Sequence, residues 1–363
     1  MRFMRVGLLI MVILQASCSA WFQKDNVVLI REPTERGYGD PIGGPRFTAY
    51  AQEYWEYMAL AANSYHLKWP DYKQQLVSAN IEAVETPLDV RFNQACGRDY
   101  SNQMIPTPSW HVWPTFPSKR LVDLAENAKL FFSVWEFRAG GDPKSITEVA
   151  IVFRGTEADQ KQDWFSNFRW FIPTALRGED QYNVTRDEVS KAFEAELQER
   201  MAQGRLPVNV KITAVGHSLG GGLAQQLAYA LPRSTSHPIR VSKVIAFNST
   251  PVTGWFSTAN PPRGENTKGL EIDRIFEHGE GLAYLRLPIN FIAPPDHRDS
   301  AVRDLRFNVD THPGGISNHG SHMFACRLAE VAGATKGVQY TEKTIPPMAK
   351  AQGAAPPNGE VTH

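Results

Sequence analysis

One pentapeptide, Gly216-His-Ser-Leu-Gly220, constrains this chain more than any other stretch. Before it runs Val208-Asn-Val-Lys-Ile-Thr-Ala-Val215, which suits a strand buried on both faces. After it, residues 223–231 read as a helix that Pro232 closes. A Gly-x-Ser-x-Gly run between a buried strand and a helix has the form of a sharp strand-to-helix turn. Ser218 would then stand on strained backbone with its hydroxyl pushed out at the carboxyl end of a sheet. Glycines on either side let neighbouring backbone pass without a Cβ clash. The helix N-terminus behind the serine supplies positive potential for a developing oxyanion. The pattern therefore predicts a nucleophilic serine. His217, inside the pentapeptide, is expected to pack beside the turn and not to serve as its base.

The rest of the chain supplies a frame for that turn. Further strands are predicted over 130–137, 149–153, 241–247 and 272–276, and helices over 47–65, 121–128 and 322–331. Residues 66–120 read as irregular apart from that frame, dense in Pro and Trp. Strands alternating with helices imply an α/β protein with a mostly parallel sheet covered on both faces. At 363 residues the chain can bury a large core without staples. Lys+Arg and Asp+Glu each number 38, so no basic excess exists to neutralise phosphates, which argues against a nucleic-acid partner. No CxxC, HExxH or His/Cys cluster at zinc spacing occurs, and neither a metal nor a cofactor is expected.

The first eighteen residues have a different composition. Arg2 and Arg5 precede the apolar run Val6–Leu14, and Ala16-Ser17-Cys18 follows. That is the layout of a secretory signal. Its nine apolar residues would span only ~14 Å as a helix, too short for a bilayer core. A Cys after small residues resembles the lipobox of bacterial lipoproteins, in which the Cys is acylated and becomes the new N-terminus. Gln15 stands where that pattern has Leu, and cleavage near Ala20 is the alternative. The expectation is an exported, membrane-anchored lipoprotein at a periplasmic or outer-membrane face. Residues 19–45 read as an irregular tether, 46–343 as one domain, and 344–363 as a disordered tail. Past the signal only Cys96 and Cys326 remain, either paired or as two separate buried thiols.

Three segments in order carry a family resemblance: Phe153-Arg-Gly-Thr156, Asp163-Trp-Phe-Ser-Asn-Phe168 and Gly216-His-Ser-Leu-Gly-Gly221. Together they resemble the class 3 lipases of the α/β-hydrolase superfamily, whose patterns are F-R-G-[ST], D-W-x-x-N-[LF] and G-H-S-L-G-G. The resemblance implies an α/β-hydrolase fold with an elaborated N-terminal region, acting on carboxylic esters of lipids, either acylglycerols or phospholipids. It implies that Thr156 and Leu219 donate to the oxyanion. It places Glu280 on the family's acid position, within Arg274-Ile-Phe-Glu-His-Gly-Glu280, where the family carries Asp. Glu277 and Asp296 are the alternative acids. The base lies in 311–325, where His312 is early and His319 and His322 stay open. After His319 the apolar residues Phe324, Ala325 and Leu328 follow with a spacing seen in family members. His322 would instead begin the last helix, with Ser321 as its cap. The aromatic stretches 106–117 and 164–172 are either an apolar lid or acyl pocket, or core. A catalytically silent binding lipoprotein and a phospholipase toxin aimed at competing cells are the rival readings. No obligate protein partner is expected.

Overall fold

In the computed structural model, the structure describes residues 27–31, 36–41, 45–69, 87–97, 103–142, 144–155, 179–232, 239–277, 280–282, 300–307, 309 and 319–336. Among the described residues nine strands form one sheet. They are β1 (Val27–Arg31), β2 (Arg36–Pro41), β3 (Trp110–Val112), β4 (Phe132–Arg138), β5 (Ile146–Phe153), β6 (Lys211–His217), β7 (Lys243–Phe247), β8 (Leu270–Glu277) and β9 (Ser300–Phe307). Their order is β2-β1-β9-β8-β7-β6-β5-β4-β3. The central five, β5 to β9, run parallel. Antiparallel pairs extend both sides, β3 and β4 at one edge and β1 and β2 at the other.

Alternation along the strands divides the core into two layers. Val149, Ile151 and Phe153 of β5 point to one face, with Phe193, Leu223 and Leu227. Ala150 and Val152 point to the other, with Tyr54, Met58, Phe307 and Phe324. Each of the large side chains stabilises the fold by about 1.5–3 kcal/mol on burial. Three helices supply the first face: α3 (Lys119–Asn127), α5 (Ser190–Ala202) and α6 (Leu219–Ala230). A short helix α4 (Glu179–Val184) runs into α5 through the π-turn Thr185–Val189. The opposite face is covered by α1 (Pro45–Asn63) and α8 (Ser321–Ala332), which pack on each other. Short helices α2 (Leu88–Cys96) and α7 (Arg263–Asn266) complete the α-helices of the described residues.

Pro45 opens α1, where its missing N–H costs nothing, and no Pro or Gly interrupts the next eighteen residues. Asn63 closes it and turns its amide onto another segment. Its Nδ2 donates to Ile105 O at 2.9 Å, and Ile105 N donates to its Oδ1 at 2.8 Å. Cys96 of α2 and Cys326 of α8 form a disulfide, so α2 is tied covalently to α8.

The segments expected to be irregular contribute more order than their composition suggests. Residues 19–45 contain β1 and β2, and 66–120 contain α2 and β3. The strand β9 was not legible because Arg303, Asp304 and Arg306 interrupt its apolar run. The neighbouring strand meets the first two of these charges. Arg303 makes a two-point pair with Asp273 at 2.9 and 2.8 Å, and Asp304 receives Arg274 at 2.6 and 2.8 Å. Trp110, Trp113 and Phe116 of the 106–117 stretch are core residues at 1–4% exposure, not a lid. The 164–172 stretch lies outside the described residues, as do 1–18 and 344–363.

Candidate active site

Ser218 follows β6 directly and precedes α6, which begins at Leu219, four residues earlier than its apolar pattern suggested. The serine has φ 58° and ψ −124°, a conformation that costs a non-glycine residue about 1–3 kcal/mol. The surroundings hold it there. Ser218 N donates to Phe247 O at 2.9 Å, and Ser218 O accepts from Gly221 N and Thr250 N at 3.1 Å each. A Cβ on Gly216 would lie 2.1 Å from Gly220 O, and one on Gly220 would lie 2.2 Å from Phe153 O. Both glycines are therefore required by close backbone approach, the first across the turn and the second against β5. Leu219 opens α6, so its N–H is among those with no acceptor inside the helix. Ser218 itself is half-buried.

Glu280 and His319 meet beside this turn. Glu280 Oε2 and His319 Nδ1 are 2.9 Å apart, with the carboxylate fully buried and the imidazole 7% exposed. Leu282 N also donates to Glu280 Oε2, at 2.9 Å. A carboxylate only accepts, so Nδ1 carries the proton and Nε2 of His319 is left as the basic nitrogen. Glu277 takes another part: its Oε1 accepts from Val309 N at 2.9 Å and its own N–H donates to Asn248 Oδ1 at 2.8 Å. His322 is turned away, its Nε2 donating to Ala95 O at 2.8 Å while its ring packs edge-on against His66. It is the second residue of α8, whose cap is Gly320 without a side-chain bond, so Ser321 is not the cap.

His217 is 3% exposed, and its ring centroid lies 4.9 Å from that of His319. Burial, and then the neighbouring His319, push its pKa well below the ordinary value. Arg154 of the Phe-Arg-Gly-Thr turn holds the chain beyond α1, donating to Leu67 O at 2.9 Å and stacking on Phe131. Thr156, Asp163–Phe168, Asp296, His312 and Cys18 lie outside the described residues. Sequence patterns did not point to Tyr65, whose hydroxyl reaches both Gly155 and His217. Its one signal was an aromatic residue at the end of an apolar helix. Among the described residues no group of three or more His, Cys, Asp or Glu could hold a metal ion, and no helix is long and apolar enough to cross a membrane.

A mostly parallel sheet flanked by helices, with a strained serine turn at the carboxyl end of a central strand, is an α/β-hydrolase-like arrangement. Residues 150–260 match the model of the family described as Lipase (class 3), which points to a hydrolase acting on esters. The match runs from β5 through the elbow and ends before Glu280 and His319, which only the tertiary structure brings to the same edge. No curated protein matches the chain.

Proposed function

We propose that this protein hydrolyses carboxylic esters of lipids, of the acylglycerol lipase or phospholipase A type, with Ser218 as nucleophile, His319 as base and Glu280 as its orienting acid. The observation that carries this reading is the Glu280–His319 pair at 2.9 Å beside the serine elbow. Ser218 Oγ attacks the ester carbonyl while His319 Nε2 takes its proton. Glu280 holds the reactive tautomer and stabilises the imidazolium that forms. The Leu219 and Thr156 N–H groups would receive the oxyanion, each worth about 3 kcal/mol in the transition state. His319 then protonates the leaving alcohol, and water releases the acyl group by the same route in reverse.

The reading extends to location. The basic start, short apolar run and Ala16-Ser17-Cys18 support export with acylation at Cys18. The Cys96–Cys326 disulfide suits an oxidising compartment. Such an anchor would hold the enzyme at a membrane surface where lipid esters lie.

A fluorophosphonate probe together with a panel of triacylglycerol, phospholipid and short-chain esters tests the activity. Wild-type protein should be labelled once, at Ser218, and Ser218→Ala should lose both labelling and turnover without losing its fold. Hydrolysis by Ser218→Ala within tenfold of wild type would sink the proposal, and an unlabelled wild type would favour a silent binding protein. Intact mass of membrane-extracted protein tests the anchor. A chain beginning at Cys18 with a diacyl or triacyl increment supports it, and a soluble product with another N-terminus ends it.

A further inference from the structure

Four segments that surround Ser218 are joined by one line of hydrogen bonds. His217 Nε2 lies 2.9 Å from His319 O. A carbonyl only accepts, so Nε2 carries the proton. His217 Nδ1 is then an acceptor, and the Tyr65 hydroxyl, 2.9 Å away, donates to it. The same hydroxyl oxygen accepts from Gly155 N at 3.1 Å. Every proton in the line is thereby assigned. Gly155 N–H donates to Tyr65, Tyr65 donates to His217, and His217 donates to the backbone of His319.

The line works only with a neutral His217, since the imidazolium has no acceptor for Tyr65. Deep burial and the adjacent His319 keep it neutral. Gly155 is required at its end: a Cβ there would lie 2.6 Å from Tyr65 Oη, 2.7 Å from His217 O and 2.9 Å from Ser218 Cβ. Gly155 immediately precedes Thr156, the proposed oxyanion donor. One end of the line therefore meets the end of β5, one residue before the proposed donor, and the other meets the backbone of the base, with the elbow residue His217 between.

We propose that Tyr65 and His217 are positioning residues, which set the spacing between the end of β5 at Gly155 and the His319 base around Ser218. This rests on the reading of Ser218 and His319 given above. Neither residue needs to touch substrate. Their work lies in holding two arms that both act in the transition state, where a small misplacement is costly.

Tyr65→Phe keeps the ring and removes both hydroxyl bonds. His217→Gln keeps a donor and an acceptor at about imidazole spacing, whereas His217→Leu keeps neither. Each protein is titrated with a fluorophosphonate, so that kcat is counted per competent serine. Affinity for an alkyl boronic acid, which forms a tetrahedral adduct, is measured alongside KM. Tyr65→Phe and His217→Leu should lower kcat by about 10- to 100-fold, weaken boronate binding in proportion and leave KM within about twofold. His217→Gln should recover most of the loss, and it decides the matter if Tyr65→Phe fails to fold. Full kcat per labelled serine in Tyr65→Phe, even with lowered thermal stability, would reduce the line to packing. Proton-coupled ¹⁵N spectra of the histidines give a readout independent of activity. A neutral Nε2–H His217 near neutral pH is expected, and an Nδ1–H or charged ring would overturn the proposal. If wild type takes no label while the tautomer is as expected, it is the hydrolase reading, and the positioning role with it, that fails.

Discussion

Under α1 the buried polar groups of the sheet close on one another, whereas at its carboxyl edge they run in a line around Ser218. The closed group joins Glu53 of α1 to Lys243, Asp273 and Arg303 of three adjacent strands. Lys243 Nζ lies 2.7 Å from Glu53 and 2.8 Å from Asp273, and Arg303 holds Asp273 at two points. Tyr54 donates to Asp273 at 2.7 Å and also meets Arg303. Two cations face two carboxylates, so the cluster carries no net charge. Burial works to raise the Asp273 pKa, but Lys243 and Arg303 outweigh it and hold the carboxyl below its usual range. Such a group fastens a helix to a sheet and has no reason to react. The edge is different: Glu280 is paired with the His319 imidazole, and in the proposed reaction that carboxylate would favour the proton that His319 takes from Ser218. Equal burial thus accompanies anchorage under α1, where the charges cancel, and the proposed chemistry at the edge, where a carboxylate is set against an imidazole.

That contrast can be broken from either side. The largest effect is expected at the edge, where Glu280→Gln should cut kcat about 10⁴-fold, ~5 kcal/mol, with little change in unfolding free energy. Glu277→Gln, three residues away, keeps an acceptor for Val309 N and should stay within several-fold of wild type. Steady-state kinetics on the two variants separates the assignments, and equal losses would remove Glu280 from its role.

In the closed cluster the expectation reverses. Asp273→Asn leaves two buried cations short of a partner and should cost about 3–5 kcal/mol of stability in denaturant unfolding. Turnover per labelled serine should remain within about twofold. A protein of normal stability with impaired turnover would show that the cluster acts on the site.

The covalent tie is expected to matter less. Replacing Cys96 and Cys326 by Ala should cost about 2–4 kcal/mol, read from the unfolding midpoint without reductant. If α8 depends on that tie to present His319, kcat per serine will fall as well.

The smallest effect concerns pH. The folded His217 refuses a proton that the unfolded ring accepts near pH 6.5. Its contribution is therefore fully present above that pH and is lost as pH falls through it towards the folded value. The slope is at most about 1.4 kcal/mol per pH unit. Unfolding curves between pH 7 and 5 should show it in wild type and show it weakened in His217→Gln. An unchanged slope in the variant would mean that His217 is not the group held neutral.

Much of the frame was legible because its signals are local. Val149–Phe153 is an apolar run of strand length and lies in β5, and the predicted strand 241–247 holds Val244–Phe247, the apolar part of β7. The pentapeptide announced the elbow because a positive φ at Ser218 and two glycines without room for a Cβ are requirements of adjacent backbone. The strand β9 stayed hidden because the hydrogen-bonding partners of Arg303 and Asp304 lie thirty residues away on β8.

What the sequence by itself determined is therefore the strand–serine–helix turn, the mostly parallel α/β frame and a short set of acids and histidines. Choosing among those was left to the tertiary structure. His319 and His322 sit three residues apart in the same stretch, and either would pass a test of spacing. The fold aims the first at a buried carboxylate and gives the second to the Ala95 carbonyl. Tyr65 carried only the signal of an aromatic residue at the end of an apolar helix, because its partners Gly155 and His217 are 90 and 152 residues away. The physical reason is the same in each case. Backbone conformation is set by neighbours along the chain, whereas the partner of a buried polar side chain is set by whichever segments the packed core brings within three ångströms.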